Sequence, residues 1–297
     1  MEFLQPIAQS PALFIAICVV LGLLIGSFLN VVIYRVPVMM DRELRYECAL
    51  LVDPDTPEPP TFNLVTPRSR CPSCQAPVTA LQNIPVVSWL ALGRRCAGCQ
   101  TPISARYPAV ETATGLLTGF VAWHFGFGGT ALAAMFFTWL LIALTMIDFD
   151  TQFLPDQITY PLLWLGLLVS LWHPAWAPGA SPVTPRDAII GAATGYLSLW
   201  TVYWAFKLIT GKEGMGYGDF KLFGALGAWL GWQMLLPIIL FASAVGALFG
   251  IVIMIRQRRG KDTPMAFGPF LAIAGWLAMI WGNDVVDRYL GLFAPQV

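Results

Sequence analysis

Residues 112–147 read TATGLLTGFVAWHFGFGGTALAAMFFTWLLIALTMI, 36 positions without one Asp, Glu, Lys or Arg. At about 1.5 Å per residue such a run is too long for a single crossing of a hydrocarbon core of about 30 Å and suits two. His124-Phe125-Gly126-Phe127-Gly128-Gly129 supplies the turn between them. Further uncharged runs cover residues 11–33, 157–185, 188–206, 222–255 and 263–283. The first has no basic start and exceeds the 7–15 residues of a signal-peptide core, so it reads as a retained span. Residues 222–255 fit either one long helix or two short ones joined near Gly231-Trp232 and Pro237.

The whole chain agrees with this reading. Of its 297 residues, 57% are hydrophobic and 11% charged, where an ordinary soluble domain carries about a quarter charged. Too little polar surface remains to coat a globule, so lipid is the solvent. With 17 basic and 17 acidic side chains there is no cationic surplus to neutralise phosphates, which excludes an ordinary nucleic-acid binder.

Charge placement gives the orientation. Eight basic residues lie in 34–106; Lys207, Lys212 and Lys221 follow, then Arg256, Arg258, Arg259 and Lys261, making 15 of the 17. Eight spans with the N-terminus outside put all three clusters on the cytoplasmic side, whereas seven strand the last one. The expected fold is an all-α polytopic membrane protein of about eight transmembrane helices. A first transmembrane helix occupies 1–33, a cytoplasmic segment 34–106, and the main bundle 107–297.

Within the cytoplasmic segment, Asp53-Pro54-Asp55-Thr56-Pro57-Glu58-Pro59-Pro60 cannot be helical. A small domain follows. Cys71-Pro72-Ser73-Cys74 and Cys96-Ala97-Gly98-Cys99 form two C-x-x-C knuckles separated by 21 residues, close to the spacing that gathers four thiolates around one tetrahedral zinc. Disulfides are rare on the reducing side of the membrane, and the strand that precedes a thioredoxin-like C-x-x-C is missing. Cys18, inside the first span, and Cys48 read as inert.

Two acids stand at span ends on the same face. Asp148 closes one run in Thr145-Met146-Ile147-Asp148-Phe149-Asp150, and Asp219 opens another in Gly216-Tyr217-Gly218-Asp219. Carboxylates at membrane depth are costly and imply function with a partner. If the fold brings these two together they share a proton, so that one activates water and the other protonates the carbonyl oxygen or leaving amine. That is aspartic-protease chemistry, with the glycines allowing close approach of an extended peptide. The local alternative is a glycine-rich turn with Asp219 as helix N-cap. Asp150 competes for the role of first acid, either solvated or supporting the site, while Asp156 after Leu154-Pro155 reads as an N-cap. A transporter that relays protons through its acids is the competing class, but it would place them near mid-span.

The chain resembles the bifunctional type IV prepilin leader peptidase and N-methyltransferase family, which serves type IV pili and type II secretion. The resemblance rests on Gly26-Ser27-Phe28-Leu29-Asn30 through Pro37, the paired C-x-x-C, Arg106-Tyr107-Pro108-Ala109-Val110-Glu111, Asp148 separated by five residues from Leu154-Pro155-Asp156, and the Gly-x-Gly-Asp ending at Asp219. It implies an inner-membrane, presenilin-like aspartic protease that cuts the leaders of prepilins and pseudopilins after glycine. It also implies methylation of the new amino terminus, usually phenylalanine, by S-adenosylmethionine. Asp148 and Asp219 map onto the catalytic pair, and Cys71, Cys74, Cys96 and Cys99 onto the zinc site. The methyl-donor cofactor is implied by the resemblance alone, because no Gly-x-Gly-x-x-Gly fingerprint is present. Its binding residues stay unassigned: Glu111 either orients the donor or the amine, or pairs with Arg106, and the family places methylation determinants near the second knuckle, here Gly93-Arg94-Arg95-Cys96. A peptidase without methyl transfer is the nearest alternative.

Overall fold

The computed structural model describes residues 5–172, 183–257 and 266–293. Arg258, Arg259 and Lys261 of the third basic cluster lie outside these residues. Among the described residues there is no β-strand, only two isolated bridges in the cysteine segment. The chain divides into two compact units, ending at Phe127 and beginning at Gly128.

The N-terminal unit is built on two helices. Helix α1, Pro11–Val52, is capped by Ser10, whose hydroxyl accepts the Leu13 N–H at 3.4 Å. At 42 residues it extends about 63 Å, twice a hydrocarbon core, so only part of it can lie in lipid. Exposed charges from Asp41 to Glu47 mark the part that does not. The helix ends at Asp53, where the proline-rich loop begins. Helix α2, Arg106–Phe125, runs antiparallel to it. Their contact is made by small residues: a β-carbon at Gly26 would stand 2.7 Å from the Glu111 Cα, and one at Gly22 would stand 2.9 Å from the Gly115 Cα. In lipid, where apolar surface gains nothing by leaving the solvent, such close backbone approach supplies the association.

The second unit carries α3, Gly129–Thr151; α4, Asp156–Ser170; α5, Pro185–Thr210; α6, Tyr217–Leu230; α7, Leu235–Gln257; and α8, Gly268–Phe293. Thr184 caps α5, accepting the Asp187 N–H at 3.1 Å and donating to its carboxylate at 2.8 Å. The long apolar run from 222 is two helices. Gly231, at φ 80°, ends α6, one turn of 3-10 helix follows over Trp232–Met234, and Pro237 falls in the first turn of α7, where its missing N–H costs nothing.

Helix α6 is the core of this unit, with 11 of its 14 residues buried. It meets α5 through glycine: a β-carbon at Gly191 would run into the Gly227 carbonyl, and one at Gly227 into that of Gly191. On another side, Trp229 lies against Gly166 of α4 and donates its indole N–H to the Leu162 carbonyl at 2.6 Å. Trp276 of α8 donates to the Thr138 hydroxyl of α3 at 3.0 Å, closing the far side.

Among the described residues, four segments are long and apolar enough to cross a membrane: α1, α3, α5 and residues 232–255, which include most of α7. The chain is therefore a multi-pass membrane protein. Helices α4 and α6, at 15 and 14 residues, reach only about 22 and 21 Å, short of a hydrocarbon thickness. Length and apolarity thus identify four crossings among the described residues, and do not confirm the expected count of eight.

The glycine contact makes a direct test. Gly191→Val forces α5 away from α6 and should cost about 3 kcal/mol, whereas Leu197→Ala on the exposed face of α5 should change stability by less than about 0.5 kcal/mol. Thermal unfolding of the two variants in detergent separates these outcomes.

Candidate active site and metal centre

Asp148 sits in the last turn of α3. The turn is closed by Gln152 in the left-handed conformation, φ 55°, whose N–H bonds back to the Asp148 carbonyl at 2.8 Å. The chain then runs through Leu154 and Pro155 into α4. Asp219 lies in the first turn of α6, after Gly216 in the cap position. Both acids are buried, at 4% and 7% exposure, while Asp150 is exposed, which separates it from Asp148 as the geometry requires.

Leu154 connects the segments that carry them. A β-carbon at Gly218 would stand 2.7 Å from the Leu154 Cβ. One at Gly268, the first residue of α8, would stand 3.1 Å from the Leu154 Cδ1 and 2.5 Å from the Asp148 Oδ2. The Leu154 side chain therefore occupies the room left by two missing side chains, and Gly268 brings its bare backbone against the Asp148 carboxylate. That carboxylate lies within electrostatic reach of Asp219, and its Oδ2 is buried with no hydrogen-bond partner. Two acids 71 positions apart in sequence are thus both buried at one end of the second unit, linked through Leu154.

Asp156 does not cap α4. Pro155 holds the extended backbone of the cap position, so Asp156 falls in the first helical turn and turns to Lys221 of α6, with Nζ–O distances of 2.7 and 2.8 Å. Tyr160 lies beneath the same ammonium, 5.2 Å from ring centroid to Nζ. This ion pair is partly exposed, so it adds little stability by itself, but it ties the start of α4 to the start of α6 beside the acids. Nor does Asp219 act as the cap of α6, a place taken by Gly216. Gly268 and Lys221 escape sequence reading because each acts through a residue far away along the chain. A Gly-Pro pair at the head of an apolar run is the one signal Gly268 leaves.

The four cysteines come together in the N-terminal unit. Their Sγ atoms all lie within 4.8 Å of one another, with Cys71 to Cys99 at 3.7 Å and Cys74 to Cys96 at 3.9 Å. Four thiolates at a Zn–S distance of about 2.3 Å form a tetrahedron with edges of about 3.8 Å, so the donor set and its size both suit zinc. None of the four is in a disulfide.

The two knuckles repeat each other. Arg70-Cys71-x-x-Cys74-Gln75-x-Pro77 recurs 25 residues on as Arg95-Cys96-x-x-Cys99-Gln100-x-Pro102. In each, the first Cys N–H bonds to a carbonyl five residues later at 2.9 Å, the Gln turns at φ 58°, and Arg bridges to Pro. The Cys99 Sγ lies 3.2 Å from the Thr101 Oγ1, and contacts with Thr101 hold its thiol down to about 6, whereas Cys74 in the same cluster is pushed up to about 11.

Glu111 is buried in α2. Its Oε2 accepts the Val86 N–H at 2.7 Å, and the Ser27 hydroxyl reaches the same carboxylate.

A helical bundle that holds a buried acid pair at one end and a separate four-thiol cluster defines a polytopic membrane protein of enzyme type. Residues 20–125 match the bacterial peptidase A24 N-terminal domain, and residues 135–251 match the type IV leader peptidase family. The chain is 50% identical to a prepilin leader peptidase/N-methyltransferase of Stutzerimonas stutzeri, over 97% of both chains. It is 53% identical to one of Aeromonas salmonicida, over 94% of this chain and 95% of the relative, and 49% identical to one of Pseudomonas aeruginosa, over 98% of both. No solved structure matches it. The chain belongs to the type IV leader peptidase family.

Elemental analysis of the purified protein should find about one zinc per chain. Cys71→Ser with Cys96→Ser should remove most of it and lower the melting temperature by several degrees, because the cluster closes a segment with little core of its own. A folded wild type without metal would overturn the zinc assignment.

Proposed function

We propose that this chain removes the leaders of type IV prepilins and type II secretion pseudopilins by cutting after glycine, and then methylates the amino terminus it has freed. Asp148 and Asp219 are the catalytic pair. This reading is supported by the burial of both acids at one end of the second unit, where Leu154 packs against the residue before Asp219 and against Gly268 beside Asp148, in a family named for leader peptidase activity.

The chemistry follows from two carboxyl groups in a low dielectric. Both cannot ionise cheaply, so the pair holds one proton. The ionised member takes a proton from water, the resulting hydroxide attacks the scissile carbonyl carbon, and the protonated member donates to the carbonyl oxygen. Collapse of the tetrahedral intermediate breaks the C–N bond, with the proton passing to the leaving amine.

Methyl transfer uses the product of the first reaction. S-adenosylmethionine supplies a methyl group on a positively charged sulfur. The freed amine, whose reference pKa near 8 makes its neutral form accessible, would be the acceptor of that methyl group. The four cysteines hold zinc in a structural role, clamping the two knuckles together. The concentration of basic residues in 34–106 and 207–221 supports a cytoplasmic position for the active site at the bacterial inner membrane, where a leader has not yet been exported.

Asp148→Asn and Asp219→Asn should each lower leader cleavage of a purified prepilin by at least about a thousandfold, with unchanged insertion and folding, while Asp150→Asn keeps most of the activity. Mass spectrometry of the product reads both cleavage and methyl gain, and full cleavage by either of the first two variants would remove that residue from the pair. Gly268→Ala, which pushes a methyl group into the Asp148 carboxylate, should reduce cleavage by at least about tenfold with a melting temperature close to wild type.

A further inference from the structure

Residues 81–92 lie between the two knuckles of the N-terminal unit, as a 3-10 turn, Leu81–Asn83, and one turn of helix, Val87–Ala91. Their two faces are the reverse of what water demands. Gln82, Asn83, Ser88, Trp89 and Leu92 turn inward to line a cavity of about 510 Å³, so amides and a hydroxyl make up much of the inner face. Leu81, Ile84, Val87 and Leu90 turn outward and are 42 to 77% exposed. A segment bathed in water buries its apolar face and presents the polar one. Four large aliphatic side chains on the outside, over amides and a hydroxyl, belong in an apolar solvent.

The depth of the segment agrees. The Val86 N–H donates to the Glu111 Oε2 at 2.7 Å, which fixes the middle of the stretch against α2. Glu111 immediately precedes the uncharged run that begins at residue 112. Across the helix pair it stands opposite Gly26, where a β-carbon would lie 2.7 Å from the Glu111 Cα. Gly26 is seven positions inside the end of the uncharged run 11–33, about 10 Å along the helix axis. A hydrogen bond at that level holds Ile84 and Val87, on either side of Val86, at the depth where headgroups give way to acyl chains.

Charge is the third observation. Residues 59–110 contain Arg68, Arg70, Arg94, Arg95 and Arg106 and not one Asp, Glu or Lys. Arg94 and Arg95 follow closely on the exposed aliphatic residues and are themselves exposed; the Arg94 guanidinium lies over the Trp89 ring, 4.9 Å from its centroid. A cationic stretch with no anion in it suits the phosphates of a negatively charged membrane surface.

We propose that residues 81–95 are an interfacial anchor. Leu81, Ile84, Val87 and Leu90 enter the acyl region of the cytoplasmic leaflet, and Arg94 and Arg95 bind the phosphates of anionic lipids. The anchor holds the cysteine segment against the membrane surface from which α1 and α2 emerge. The cytoplasmic placement of residues 34–106 enters only in the choice of leaflet, and neither proposed reaction is needed for the lipid contact.

Photo-cross-linking of the full-length protein in nanodiscs tests this. The probe, p-benzoylphenylalanine, stands in place of Val87 or Leu90, or of Leu51 as control, a residue just as apolar and 87% exposed near the far end of α1. In nanodiscs of phosphatidylcholine with about a third phosphatidylglycerol, probes at positions 87 and 90 should attach to phospholipid at least about fivefold more than the probe at position 51, read by mass spectrometry. Omitting phosphatidylglycerol should lower the yield at position 90 at least about threefold, and Arg94→Gln with Arg95→Gln should do the same in the anionic nanodiscs. Yields at 87 and 90 no higher than at 51 would overturn the anchor. Attachment to a prepilin, or to another part of this chain, in place of lipid would do so too. Yields unchanged by the charge of the lipid would remove the role of the arginines, and that comparison keeps both arginines in place, so it decides the point even if the double variant loses its fold.

Discussion

At one end of the second unit a single leucine side chain fills space that two glycines leave open. Leu154 packs against Gly218 and Gly268 at once, and these positions belong to the residue beside Asp219 and to the backbone pressed on Asp148. Without that fit the ends of α3, α6 and α8 would be held apart by ordinary side chains, and two buried carboxylates would lie in apolar surroundings with nothing opposite. The Lys221–Asp156 pair secures the same junction from its outer side. The acids are buried at one end of this unit because two of the backbone approaches there, at Gly218 and Gly268, are bare.

The same device recurs through the chain at larger scale. Helices α1 and α2 close on Gly22, Gly26 and Gly115, and α5 and α6 close on Gly191 and Gly227. In lipid this is the means by which helices find each other, since transfer of apolar surface from one hydrocarbon to another gives no drive. Helix α6, short and enclosed, depends on it most. Its brevity also brings its N-terminus, with Asp219, to a point where polar groups from three other segments can gather.

The cysteine segment solves a different problem. It has no sheet and only two short helical turns, too little apolar surface to hold itself together. Two copies of one knuckle, each closed by the same hydrogen bonds and the same left-handed glutamine, bring four sulfurs to the spacing of a tetrahedron's corners. Arg35 and Glu111 then tie the segment to α1 and α2, through carbonyls in the first case and the Val86 N–H in the second.

Much of this is written along the chain. Uncharged runs mark this as a membrane protein, because each charge in lipid is costly, and the long apolar helices α1, α3, α5 and α7 fall within them or overlap them. The cysteine spacing specifies a four-thiol site for the same kind of reason: C-x-x-C is local geometry, and two copies near one another have few other uses. The family motifs single out Asp148 and Asp219, but spacing cannot bring them together. Which acid is buried, what Asp156 binds, where the 222–255 run breaks, and that Gly268 borders the site are decided by helix packing across 50 to 120 positions. The meeting of distant side chains depends on how apolar surfaces and bare glycines fit, and a linear pattern records the residues that can fit without recording which of them do.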